Sequence, residues 1–506
     1  PHHALFLLRR WRQTGADDLR GMAVATLRAI RRGGVYDQVG GGLHRYSTDR
    51  EWLLPHFEKM LYDQALYALA CTEAFAATGA TDLREAAITT LDYVRRELLA
   101  PAGAFHSAED ADSLNAEGER EEGAFYVWTE AEIAAALNAD DAELVRAVWG
   151  TAAGGNYRDE ATRQVTGANV LHLPDPHLAS DDPLALRADD LGLDAETLHL
   201  RLDRARQRLL AVRSERPRPL LDDKVLTDWN GLAIAALAVA ARTFGRDDYA
   251  EAATRAAAFL LDTMRTEDGA LLHRYRNGEA GIDGLLDDYA FLVWGLLDLY
   301  QTTFDEAHLA AALDLHRQMR DRFEDPDGGY FVSPVDAPDL IARQKALDDG
   351  ALPAGASVAV LNGLRLARLT GDADLEDAAR RGLRAPAVVR EHPSGFTHLM
   401  AAAAFAEGPA QEVVIAGDRG AEDTAALLAA VRSVYAPFSV VVLRAPGEGP
   451  APIADLVPFA AEQTALGGRA TAYVCESYAC QAPTTDPAEA RDTLATAVAS
   501  GGEDAG

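Results

Sequence analysis

The strongest constraint on the fold is a recurrence. From Asp18 to about Glu407, Ala/Leu-rich segments of helical period alternate with short Gly-aromatic pieces. The helical segments include "EKMLYDQALYALACTEAFAATG", "TDWNGLAIAALAVAARTFG" and "PAGASVAVLNGLRLARLTGD", and several stop at Gly, as helices with left-handed ends do. The connectors are "GGGLHRYSTD" at Gly40, "PAGAFHSAEDAD" at Pro101, "DGALLHRYRNG" at Asp268 and "DGGYFVSPVD" at Asp327. His44 and His106 lie 62 positions apart, Leu272 and Phe331 59, enough for one helical hairpin plus loops. Open solenoids repeat every ~34–47 residues with plainer loops. The longer unit predicts a mainly α chain closed as an (α/α)6 toroid over residues 1–408, with an insertion near 154–193. From about Ala410, short β-branched runs such as "QEVVIAG" and "FSVVVLRAP" alternate with helices. This pattern predicts a small α/β unit over residues 409–506. Its "AGDRG" is too short to cradle a phosphate, so the unit reads as a structural appendage.

Composition narrows the partners. Seventy-nine acidic residues against 48 basic ones, a formal charge of -31, argue against nucleic acid and anionic membrane surfaces. No apolar run reaches the roughly 18 residues that span a bilayer. Three cysteines, Cys71, Cys475 and Cys480, cannot staple a chain of 506 residues, and the last two lack a redox or zinc spacing. A reducing cytoplasm is the expected setting. The start at Pro1, without Met or an apolar leader, reads as a fragment boundary. Only three of the 48 basic residues are lysines, and Lys59, Lys224 and Lys345 each lie beside acids in sequence. An ammonium is a compact point charge that guanidinium does not replace in a tight site, so these three are expected to be structurally placed.

In "PHFEKMLYDQ", helical spacing would align His56, Lys59, Asp63 and Tyr67 on one face, with Lys59 and Asp63 paired at i,i+4. The preceding loop supplies Tyr36, Asp37, His44, Arg45 and Trp52, and the stretch itself adds Glu58. Further along, "FHSAEDADS" carries Asp110 and "EGAFYVWTE" carries Trp128. "LLDDKVLTDWNG" carries Lys224, Asp228, Trp229 and Asn230, and "GLLDDYAFLVW" carries Asp288 and Tyr289. Acids at helix starts are ordinary caps; capping does not explain their pairing with Trp or Tyr. Aromatic faces beside carboxylates, His and Arg suit a polyhydroxylated ligand, a small-molecule carbohydrate in a central funnel. Asp37, His44, His56, Asp110, Asp228 and Asp288 are the candidate catalytic groups. Two carboxylates could hydrolyse a glycosidic bond. Alternatively, a histidine could move a proton beside a sugar carbonyl, as an epimerase or isomerase requires. A non-catalytic binding or scaffold domain is the other reading. Neither chemistry needs a cofactor, and no cluster of metal-ligand spacing stands out.

The run "GGVYDQVGGGLHRYSTDREWLLPHFEKMLYDQALY", followed in order by "SAEDADS", "EGAFYVWTEAE", "DDKVLTDWNGL", "LDDYAFLVWGLLDLY" and "CESYACQAPTTDP", resembles the spermatogenesis-associated protein 20 family of YyaL-like thioredoxin-domain proteins. The resemblance implies an N-terminal thioredoxin-like domain, absent from this chain, followed by a toroid like those of acylglucosamine 2-epimerases and six-hairpin glycosidases. Any thiol chemistry would belong to that absent part, and the toroid would be its partner.

Overall fold

A computed structural model of the chain describes residues 1–158, 164–174, 183–337, 340–384, 388–408, 410–445 and 452–497. The part of the insertion at 159–163 and 175–182 lies outside them. In chain order come α1 (His2–Thr14), α2 (Asp17–Arg32), α3 (Leu61–Thr78) and α4 (Thr81–Tyr93). Four helices then depart from the repeat: α5 (Glu130–Ala136), α6 (Ala139–Val148), α7 (Pro183–Asp190) and α8 (Ala195–Arg213). The repeat resumes with α9 (Thr227–Phe244), α10 (Asp247–Thr263), α11 (Leu286–Thr303), α12 (Glu306–Phe323), α13 (Gly355–Thr370) and α14 (Ala373–Gly382). The short α15 (Val388–Glu391) and then α16 (Thr397–Glu407) complete it.

Five helical hairpins share one turn. α1–α2, α3–α4, α9–α10, α11–α12 and α13–α14 are each joined by two residues. The first linker residue is left-handed every time: Gly15, Gly79, Gly245 and Gly371 at φ 69, 75, 68 and 74°, and Phe304 at 54°. Its N–H caps a carbonyl of the helix just ended. The first helix of each pair, joined by α16, packs in a closed cycle α1–α3–α9–α11–α13–α16–α1. The second helices pack outside their partners. The chain is therefore a mainly helical (α/α)6 toroid, with five inner helices carrying an outer partner among the described residues.

Composition explains which helices lie inside. α9 and α11 are apolar around most of their circumference and almost wholly buried, whereas α2 and α14 are amphipathic and bury one face. The closest inner contact depends on glycine. A Cβ on Gly231 would stand 2.4 Å from the backbone of Phe291, and one on Gly295 would stand 2.6 Å from the Gly231 oxygen. The Gly-aromatic connectors recur as β-bridged turns after the outer helices, pairing Leu99 with Phe105, Arg265 with Leu271 and Glu324 with Tyr330.

The C-terminal segment forms a four-stranded mixed sheet. Strand Gln411–Ala416 runs parallel to Ser439–Arg444 and antiparallel to Thr471–Glu476, which turns back into Ala479–Cys480. This unit sits against the C-terminal ends of the inner helices. Arg432 donates to the carbonyls of Gln301 and Thr302, Arg419 to those of Thr303 and Phe304, and Tyr478 to that of Ala367. Carbonyls orphaned at helix ends thereby find donors. The cysteine expectation needs correcting: Cys475 and Cys480 form a disulfide across the last hairpin, because antiparallel register brings opposite a pair that sequence spacing holds five residues apart.

Two sequence expectations fail at "PHFEKMLYDQ". Pro55–His56 and Lys59–Met60 are short strands, and α3 begins only at Leu61, so of His56, Lys59, Asp63 and Tyr67 only the last two share a helical face. Lys59 turns away from Asp63 and bonds Asp37 at 2.8 Å. Extended backbone sends residues three and four apart in directions unlike those of a helix. All three lysines do pair with acids: Lys224 with Asp222 and Lys345 with Asp325, both at 2.7 Å, besides Lys59.

Candidate functional site

Each outer helix returns the chain, so the inner helices run parallel and their N-termini gather at one mouth of the ring. Their aligned N–H groups favour negative charge there, and acids occupy the positions: Asp63 on α3, Asp228 on α9, Asp287 and Asp288 on α11. The Tyr62 and Trp229 rings meet edge to face at 4.8 Å, which ties the first turns of α3 and α9 together.

Asp288 anchors the group. Its carboxylate accepts from the Leu285 N–H at 2.8 Å, the Asp228 N–H at 3.1 Å and His273 Nδ1 at 2.9 Å. That hydrogen bond, with the charge of Asp288 behind it, raises the His273 imidazole to about 9. Asp228 accepts from the Trp229 N–H at 2.8 Å. Burial and the neighbouring Asp288 push its carboxyl well above the usual range, favouring the protonated form. Burial, then Asp288, lifts Asp287 to about 6; its Oδ1 lies 2.0 Å from where a Cβ on Gly355 would stand, so a larger residue at the start of α13 would displace that carboxylate. Ligand-type atoms of Asp228, His273 and Asp288 lie within 4.8 Å of one another, a grouping no sequence spacing announced. His273 and Asp288 already satisfy each other.

Asp63 differs from these. Its Oδ2 is buried and lacks a hydrogen-bond partner, and burial raises it to about 7. His398 in the first turn of α16 lies tilted against Trp294, ring centroids 5.3 Å apart, and its Nε2 is likewise buried and unpartnered. Burial depresses its basicity, so the ring is neutral. Buried polar atoms without partners are rare; these two sit on inner helices at the mouth.

The Asp63 pKa is testable through stability. A carboxyl at about 7 rather than 3.8 resists ionisation in the fold, so it weakens the protein progressively as pH rises through that window and by a constant amount above it. Asp63→Asn is expected to flatten the stability profile between those values, recovering about 4 kcal/mol at alkaline pH relative to wild type. Urea unfolding at acid and alkaline pH checks this; parallel profiles for the two proteins would contradict it.

The other sequence candidates lie elsewhere. Asp37, His44 and Lys59 form a buried cluster with Arg213 of α8, beneath the helices inserted between α4 and α9. Arg213 grips Asp37 bidentately at 2.9 and 2.8 Å, and Lys59 adds the Gly41 carbonyl at 2.9 Å and the faces of Tyr93 and Tyr126. Burial opposes ionisation, yet Arg213 and Lys59 hold Asp37 well below the carboxylate range. Burial pushes His44 down to about 3, and its Nδ1 meets the Phe57 carbonyl at 2.9 Å. His56 binds Glu122 at 2.7 Å and stacks on Tyr46, while Asp110 pairs with Arg120 at 3.0 Å. The six catalytic candidates therefore divide into separate places, with only Asp228 and Asp288 together at the mouth.

Several binding candidates are committed to packing. Trp128 is fully buried in the inserted helices' core. Asn230 bonds both backbone groups of Phe105, the Tyr289 hydroxyl accepts from the Leu271 N–H, and buried Tyr36 contacts Thr89. Trp52 packs against the core in a left-handed conformation at φ 61°. Lys224 pairs with Asp222, partly exposed. Arg45 bonds Glu58 at 2.9 Å, and their charges act on Asp63. The sequence reading missed His273 and His398. A signal existed for the first: Leu-His-Arg-Tyr occurs at both 43–46 and 272–275, and the second copy reaches the mouth.

Fold and site together define a helical toroid with a carboxyl-lined mouth. In sequence the chain belongs to the spermatogenesis-associated protein 20 family. It is 38% identical to the Homo sapiens protein over 497 residues and 36% to that of Rattus norvegicus over 498, covering 94% of this chain and 62% of each relative. It thus spans about three fifths of the length of those relatives. No family model matches it. Solved structures similar to it include cellobiose 2-epimerase from Spirochaeta thermophila (TM-score 0.42, 11% identity, 74% of this chain and 72% of that one) and a D-mannose isomerase (0.35, 12%, 72% and 84%). Unsaturated glucuronyl hydrolase from Bacillus sp. GL1 is another (0.31, 13%, 74% and 83%). Among the described residues, no helix is long and apolar enough to cross a membrane.

Proposed function

We propose that the mouth binds a sugar and moves a proton on it, in the manner of an epimerase or isomerase. The observation that carries this reading is a pair of carboxyls on neighbouring inner helices that both resist ionisation: burial and Asp288 favour the protonated form of Asp228, while Asp63 titrates at about 7 with Oδ2 unpartnered. Proton abstraction beside a carbonyl needs a base poised near the working pH and a proton donor for the developing oxyanion. Asp63 suits the first role and Asp228 the second. His273, positively charged and fixed by Asp288, adds electrostatic support, and Trp229 and Tyr62 offer aromatic faces. Neutral His398 is a second acceptor or donor for hydroxyls. The same carboxyls could serve glycoside hydrolysis; the near-neutral titration of Asp63, with its unpartnered Oδ2, favours proton transfer.

The test is incubation with a panel of aldoses, ketoses and disaccharides in deuterated water, followed by proton magnetic resonance. Loss of the signal from the hydrogen beside the carbonyl is the expected result. Release of free monosaccharide without exchange would shift the reading to hydrolysis. Neither reaction, together with no thermal stabilisation by any sugar, would leave the scaffold reading.

A further inference from the structure

A second chamber lies on the ring axis at the opposite end. Its volume is about 160 Å³, and all six inner helices line it, from Arg9 on α1 to Phe405 on α16. Residues 431–441 of the α/β unit close it from below. The charges inside do not balance. Arg9 is matched by Glu73 at 2.7 Å, but Arg242 and Arg365 share the single carboxylate of Asp298 at 2.8 and 3.1 Å. Among the described residues Arg432 pairs with no carboxylate; its Nη2 donates to two backbone carbonyls. Four arginines thus face two acids.

Part of that excess answers the helix C-termini, whose carbonyls carry partial negative charge. Capping accounts for one nitrogen of Arg432 and one of Arg242. Among the described residues it leaves Nε and Nη1 of Arg432 without a hydrogen-bond partner, in a chamber also lined by Ser439 and Tyr435. A guanidinium in partial burial without a counter-charge is costly. Burial, then Arg242, lowers Arg432 to about 10.

We propose that this chamber is an anion site for a tetrahedral oxyanion, inorganic phosphate or the phosphoryl group of a small metabolite, held by Arg432, Arg365 and Arg242. Guanidinium forks match such oxygens in geometry and charge. The site is separate from the mouth: Trp294, packed on His398 above, also lines the chamber below.

Calorimetric titration of the full chain with inorganic phosphate, and separately with a hexose 6-phosphate, tests this against chloride at equal ionic strength. Saturable binding of phosphate is expected, weakened about tenfold or more in Arg432→Gln and in Arg365→Gln. Asp63→Asn, at the mouth, should bind phosphate as wild type does. Tighter binding of the hexose phosphate would identify a metabolite's phosphoryl group as the ligand, and binding of inorganic phosphate alone the free ion. Should one arginine variant not fold, the other decides. A response to phosphate no different from that to chloride, or affinity unchanged in the folded arginine variant, would overturn the proposal.

Discussion

Replacing Asp37 with alanine is expected to cost about 3–5 kcal/mol of stability, the range for breaking a buried ion pair and leaving the partner charge behind. Here two cations would be left. Lys59 is wholly buried and Arg213 nearly so, and Asp37 is the only carboxylate that either bonds among the described residues. Because Arg213 ends α8 while Asp37 and Lys59 flank the first turn of the ring, the triad fastens the inserted helices to the toroid. Urea denaturation measures the loss, and one below about 1 kcal/mol would contradict the account. The triple change Asp37→Leu, Lys59→Met, Arg213→Met should recover much of it, since apolar groups of similar volume need no counter-charge.

The second large effect concerns chemistry and rests on the proposed proton transfer. Asp228→Asn retains an oxygen for the Trp229 N–H but removes the transferable proton. Loss of a positioned general acid lowers rates by about 10²–10⁴-fold, so hydrogen exchange on the responsive sugar should fall by that factor while the unfolding midpoint stays near that of wild type. An exchange rate unaffected by the change would remove Asp228 from the mechanism. In wild type, activity should rise with pH through about 7 as Asp63 ionises, and Asp63→Asn should abolish that limb.

The architecture was readable because helical period and left-handed glycine stops are local properties. "AAT-G", "RTF-G" and "RLT-G" each end an inner helix at the residue expected. The site was less readable, for two physical reasons. Helical spacing was assumed for residues 55–60, whose backbone is recruited into strands by distant segments: Lys59–Met60 pairs with Ala108–Glu109, which no local preference reveals. Burial, too, is a property of the closed ring. Asp37 and Asp228 look alike in sequence, but two cations neutralise the first whereas a second acid faces the other. The disulfide was missed similarly, since cross-strand register, not spacing, decides that contact.

The uniform two-residue turns have a further consequence. At that end of the ring every hairpin is closed as tightly as helices allow, and the α/β unit covers it, so added chain has no room there. The longer connectors, including the whole segment between α4 and α9, belong to the other end. Within the ring, room for added chain therefore lies around the mouth. Such a molecule has a fixed back and an adjustable front, and any drift in what it accepts is expected to be written in those connectors while the ring keeps its geometry.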